Sequence, residues 1–95
     1  MPPRFDPRPM STQKLKDLAA QLVEDIIQLE HECNKRFAHW CRIGIFAPQG
    51  AQDIAHGACR NARRNRTRAF NIRTQVMEEL MNRERQELRA MDTVA

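Results

Sequence analysis

From Leu15 onward, apolar side chains return every three or four residues: Leu15, Leu18, Leu22, Ile26, Leu29, Cys33, Phe37 and Trp40. That spacing holds one stripe on one side of an α-helix. It predicts a first helix over about residues 12–43, with Ser11 as N-cap and Met10 placed to pack on Leu15 as a hydrophobic staple. The opposite side carries Lys14, Lys16, Asp17, Gln21, Glu24, Asp25 and Gln28, an ordinary solvated face. Val23, Ile27 and Ile43 make the stripe wider than a two-stranded seam, so more than one neighbour is expected against it.

The stretch "GIFAPQGAQD" interrupts the pattern. Gly44 suits a C-cap, Pro48 cannot continue a helix, and Gly50 allows a turn. So short a loop makes the next helix an antiparallel neighbour. A second helix is predicted over about residues 51–82, with the stripe Ala51, Ile54, Ala55, Ala58, Ala62, Ala69, Ile72, Val76 and Leu80. Its alanine-rich middle admits close approach of a partner helix. The far side of the cylinder carries Arg60, Arg64, Thr67, Arg68, Asn71 and Gln75, bordered by Arg63. Arg66 and Arg73 flank the apolar sector and reach outward by snorkelling.

Both ends differ in character. "MPPRFDPRP" holds four prolines in nine residues, which predicts an extended, poorly ordered arm over residues 1–10. The tail "EELMNRERQELRAMDTVA" offers a Glu79–Arg83 pair and a thin apolar row at Leu80, Leu88 and Met91. It either prolongs the second helix or forms a short third one to about residue 91, and residues 92–95 are expected to fray.

The expected fold is therefore all-α: a long antiparallel helical hairpin over residues 11–91 as one domain. A lone hairpin leaves one side of each stripe uncovered, and 95 residues with few large side chains in helix 2 make a marginal core. Homodimerisation into a four-helix bundle through the wide stripe of helix 1 would cover it. The expected core and dimer positions are Leu15, Leu18, Leu22, Ile26, Leu29, Phe37, Ala62, Ala69 and Val76.

Composition supports helices: tyrosine is absent, only three glycines occur, and strand formers are thin. Cys33, Cys41 and Cys59 are odd in number and include no CxxC pair, which fits a reducing compartment rather than a disulfide framework. No apolar run approaches the roughly 20 residues of a membrane span, and no signal-peptide pattern opens the chain. A soluble, intracellular chain is expected.

Two constellations invite chemistry and do not sustain it. "HECNKRFAHWC" repeats His-x-Cys at 31/33 and 39/41, but residues two apart face different ways and the pairs lie about 12 Å apart along a helix. Tetrahedral zinc needs its ligands about 2 Å from one point, so no metal site is expected. Cys59 near His56 lacks an orienting group and an oxyanion-forming loop. No catalytic residue and no cofactor is expected.

Charge carries the strongest signal. The formal net charge of +4 understates it, because the chain between Asp53 and Glu78 holds six arginines and no carboxylate. Solvated helix faces usually mix signs. Here the like-charged neighbours Arg60, Arg64 and Arg68 repel at i,i+4, a cost of a few tenths of a kcal/mol each that a polyanion would remove. Arginine's planar fork suits phosphate. Aromatics for stacking on single strands are missing from the ridge, since Phe70 lies off it, and no short recognition helix follows a tight turn. A long basic rod with Thr67, Asn71 and Gln75 on the same face suits phosphates and ribose 2′-hydroxyls across the shallow minor groove of double-stranded RNA. A helical adaptor whose basic face docks an acidic protein or DNA is the alternative.

The stretch "CRNARRNRTRAFNIRTQVM" resembles the second helix of the nodavirus B2 proteins, small suppressors of RNA silencing, most closely the Nodamura virus type. Cys59 is followed nine residues later by Arg68, Ala69 and Phe70, an Arg-Ala-aromatic triplet like that of the family. A long first helix and a short loop containing "AP" precede it, so the resemblance covers roughly residues 12–82. It implies an all-helical homodimer that binds double-stranded RNA without sequence preference and shields it from Dicer in the host cytoplasm. Dicer or other silencing components become candidate partners as well. The implied contacts are Arg64, Arg68 and Asn71, with Asn61 and Arg60 beside them. Two departures stand out: Asn71 replaces a usually basic residue, and Glu78 and Glu79 stand where the family has a Lys-Pro break.

Overall fold

The computed structural model describes residues 4–44 and 46–94. Two helices make up the fold, α1 over Thr12–Ile43 and α2 over Gln49–Val94. They pack against each other as an antiparallel hairpin 72 × 27 × 16 Å in extent, one helical layer thick.

Local chemistry accounts for the ends of α1. The Ser11 hydroxyl accepts a hydrogen bond from the Lys14 amide at 3.2 Å, satisfying one of the free N–H groups of the first turn. At the other end Gly44 donates its amide to the Trp40 carbonyl with φ of 64°, a conformation that disfavours any side chain. Pro48 accepts from the Gln52 amide at 3.1 Å, and the Gln52 side chain donates to the Ala47 carbonyl at 2.8 Å, closing the loop onto the first turn of α2.

α2 starts two residues earlier than its periodicity suggests and runs unbroken through the tail, so there is no separate C-terminal helix. Helix persists to Val94, beyond the expected end near residue 91; of the fraying expected over 92–95, Ala95 lies outside the described residues. No Gly or Pro follows Gly57 to stop it. Arg83 faces Thr12 across the hairpin, so the last turns of α2 project past the start of α1.

The seam between the helices follows a heptad-like rhythm. On α1 it holds Leu15, Leu22, Ile26 and Cys33, with Leu18, Ala19 and Leu29 half-buried beside them. On α2 the buried residues are Ala55, Cys59, Ala62, Ala69 and Val76, joined by Ile72 and Leu80. Spacings of four, three, then seven describe a straight contact line with Arg66 and Arg73, both half-buried, in the two gaps. Leu15 and Val76 are sealed completely at one end of this line. Three positions of the predicted stripes fall outside it, and one of them, Phe37, is an expected core position. Ile54 is 76% exposed because the line passes through Ala55 instead, and Phe37, at 47%, and Trp40, at 37%, stand at its edge. The wide stripe of α1 is thus divided: Leu22 and Ile26 meet α2 of the same chain, whereas its flank, Val23 and Ile27, stays uncovered along with Phe37 and Trp40 near its end.

The described part of the N-terminal arm is non-helical, as its prolines require, with a turn closed by the Met10 amide donating to the Pro7 carbonyl at 3.1 Å. Residues 4–10 are anchored rather than loose, and residues 1–3 of the expected arm lie outside the described residues. Phe5 and Met10 pack on the cluster around Leu15 and Val76. Arg83 clasps the arm: Nη2 donates to the carbonyls of Arg8 at 3.1 Å and Met10 at 2.7 Å, and Nη1 donates to the Thr12 hydroxyl at 3.1 Å. Glu79 steadies the clasp by accepting from Arg83 Nε at 2.9 Å. Proline count reveals an absence of helix, and it is silent about where an extended segment docks.

Because alanine sets the helix separation, enlarging it should be felt. Ala69→Leu should destabilise the protein by about 1–3 kcal/mol, whereas Ala90→Leu, on an exposed turn of α2, should change stability by less than about 0.5 kcal/mol. Urea unfolding followed by circular dichroism separates the two outcomes.

Candidate nucleic-acid interface

Turning Ala55, Ala62, Ala69 and Val76 toward α1 turns the opposite side of α2 toward solvent. Arg60, Asn61, Arg63, Arg64, Thr67, Arg68, Asn71 and Gln75 are all exposed, and all lie on or beside that side. From Arg60 to Gln75 the ridge is about 22 Å long at 1.5 Å per residue. The structure therefore brings together every residue that the sequence places on the basic face.

Electrostatically the ridge is uncompensated. The ion pairs Arg8–Asp6, Arg36–Glu32, Arg66–Glu30 and Arg83–Glu79 involve none of Arg60, Arg63, Arg64 and Arg68. Arg66 leaves the ridge for the α1 side, where it approaches Glu30 at 3.9 Å with both side chains well exposed, a weak attraction. The basic character ends at Glu78 and Glu79, which with Gln75 and Asn82 line a second shallow concavity beside the arm.

The arm borders the ridge. Arg4 and Phe5 form one wall of a groove of about 700 Å³ whose other wall includes Arg64, Arg68, Asn71 and Gln75. Arg8 is already engaged: its guanidinium donates to both carboxylate oxygens of Asp6, and its amide donates to Asp6 Oδ1, each at 3.0 Å. These side-chain and backbone hydrogen bonds hold the Asp6 carboxyl below the usual carboxylate range. Sequence periodicity had no signal for this groove, because the arm's docking depends on Arg83, which lies 75 residues from Arg8.

A quarter turn from the seam, in the same sense on both helices, lies a different surface. Val23 and Ile27 on α1 and Phe70, Met77 and Met81 on α2 are between 38 and 52% exposed. Antiparallel pairing brings these two rows to one broad face of the hairpin. Next to it, Arg73 Nε is buried without an acceptor among the described residues. The arm lies on the opposite broad face, so the molecule has an apolar side, an arm side and a basic edge.

The histidine and cysteine constellations are dispersed. Cys33 and Cys59 are buried in the seam, Cys41 is exposed, and His56 rests against Trp40 with ring centroids 4.9 Å apart. Among the described residues no three His, Cys, Asp or Glu side chains gather closely enough to hold a metal ion. No described helix is long and apolar enough to cross a membrane. Comparison with family models, curated proteins and solved structures found no match to this chain.

Mutual repulsion along the ridge makes a prediction about the free protein. In low salt Arg64→Gln should leave the melting temperature unchanged or raise it slightly, since a like-charge i,i+4 contact costs a few tenths of a kcal/mol. The difference should shrink as salt screens the charges. A marked loss of stability would mean that Arg64 has a structural role.

Proposed function

We propose that this chain binds double-stranded RNA, without sequence preference, along the outer edge of α2 and works as a homodimer. The observation that carries the reading is the single exposed face shared by Arg60, Arg64, Arg68, Asn71 and Gln75, with no acidic partner for its arginines among the described residues. Phosphates supply the charge that this face lacks, and the uncharged side chains interleaved with the arginines suit 2′-hydroxyls. A straight rod meets a duplex by its backbone geometry, so binding is read from helix shape and not from base identity.

Dimerisation supports the same reading. Val23, Ile27, Phe70, Met77 and Met81 share one broad face, and a second copy laid against it forms a four-helix bundle. Such a bundle keeps both basic edges solvent-exposed and doubles the number of phosphates contacted. The resemblance of residues 59–77 to the nodavirus B2 proteins gives this binding a purpose: coating dsRNA so that Dicer cannot process it, which suppresses host RNA silencing.

A gel shift with dsRNA, dsDNA and single-stranded RNA of equal length tests the proposal. The dsRNA should bind most tightly, equally for unrelated sequences, and should weaken steeply with salt. Arg64→Gln and Arg68→Gln should each lower affinity at least about tenfold, because every substitution is made twice in a dimer and a charge-assisted hydrogen bond is worth about 1.5–3 kcal/mol. Ile27→Asp should convert a dimer seen by light scattering into a helical monomer of weaker affinity. Equal binding to A-form and B-form duplexes would favour an adaptor for DNA or acidic protein instead.

A further inference from the structure

We infer that the N-terminal arm is part of the polyphosphate-binding surface, with Arg4 contacting one strand across the groove from Arg64 and Arg68, and with Arg83 as the positioning residue that holds the arm there. The inference rests on the proposed binding of dsRNA by α2 and assigns a further binding residue to it.

Three observations converge on this arrangement. Arg4 is exposed and lines the same groove of about 700 Å³ as Arg64, Arg68, Asn71 and Gln75, so its guanidinium adds to a concave basic surface. A groove walled by arginine on both sides engages a phosphate chain from two directions, which a convex ridge alone cannot do. Arg4 has no acidic partner among the described residues, whereas Arg8, four positions away, is neutralised by its bidentate bond to Asp6. The arm is fixed in place at both ends of its described length: Phe5 is packed on the core cluster and the Arg8 and Met10 carbonyls are held by Arg83. Pre-ordering matters because an arm that had to be immobilised on binding would lose conformational entropy at that moment.

The acidic groups near the groove set its limit. Asp6 is occupied by Arg8, Glu79 by Arg83, and Glu78 lines the second concavity, which shares Arg4 and Gln75 with the groove. A phosphate strand therefore runs from Arg4 along the Arg64 side and turns away before Glu78. The arm lies on the broad face opposite Val23 and Ile27, so a dimer formed through the apolar face leaves both grooves open.

Fluorescence anisotropy with a blunt-ended dsRNA oligonucleotide, over a series of salt concentrations, tests this with the full-length chain. Arg4→Gln, a substitution on an exposed side chain outside the helices, should lower affinity roughly threefold to tenfold and flatten the salt dependence, by about one in slope for each phosphate contact removed. Arg83→Ala should lower affinity to a similar degree and should open the bond after Phe5 to chymotrypsin, while helicity stays native. Adding Arg4→Gln to Arg83→Ala should then cost almost nothing, because an unclasped arm no longer presents Arg4. If the native chain binds and Arg68→Gln weakens it, but Arg4→Gln binds like the native chain at every salt concentration, the arm's role is overturned and the ridge proposal stands. If Arg4→Gln costs as much in the Arg83→Ala background as alone, the positioning role of Arg83 is overturned. If the native chain does not bind dsRNA, the reading of α2 fails and this inference falls with it.

Discussion

The small side chains at Ala55, Ala62 and Ala69 set the distance between the two helices and, with it, the orientation of every other residue on α2. Alanine buries little surface of its own, but it lets Leu22, Ile26 and Leu29 of α1 settle near the α2 backbone. A helix can present only one such side, so the residues half a turn away have no choice of environment. Arg60, Arg64, Arg68, Asn71 and Gln75 are turned outward by the same periodicity that turns alanine inward. The basic edge is thus a geometric consequence of the seam. Shifting the seam by one residue toward the C-terminus would put Arg60 and Arg63 in the places of Cys59 and Ala62 and unmake the surface.

A seam this narrow leaves the hairpin only one layer thick, and the uncovered sides are not alike. One broad face is apolar, with Phe70 and Met77 beside Ile27; the other carries the arm; the edge is basic. Each side suits a different partner under the proposed function: a second copy for the first and phosphate for the edge, while the chain's own N-terminal segment already covers part of the second broad face. Arg83 joins two of these tasks. It sits where the seam ends, is steadied by Glu79, and spends its remaining donors on the arm and on Thr12.

Much of this layout is legible in the residues. The ends of α1 follow from Ser11 and Gly44, whose capping chemistry is local, and the outward ridge follows from spacing alone. Local chemistry has less to say where the outcome depends on contacts far apart in sequence. The phase of the α2 seam passes through Cys59 and leaves Ile54 outside, because heptad packing against α1 overrides the most hydrophobic choice in that turn. Phe37 follows Cys33 by one helical turn, yet it stands half-exposed at the edge, beside Arg63 and Arg66 of α2. The arm's prolines exclude helix correctly and conceal the docking of Phe5. The length of α2 is readable from missing stop signals, although its charged tail looked like a change of element.

Nuclear magnetic resonance of the labelled protein titrated with a short RNA duplex tests the central claim, that the outer edge of α2 is the binding surface, most directly. The account predicts that side-chain signals of Arg60, Arg64, Arg68, Asn71 and Gln75 shift together, while methyl signals of Val23, Ile27, Met77 and Met81 stay in place. Shifts confined to the apolar face, or a ridge unmoved at saturating duplex, would contradict it.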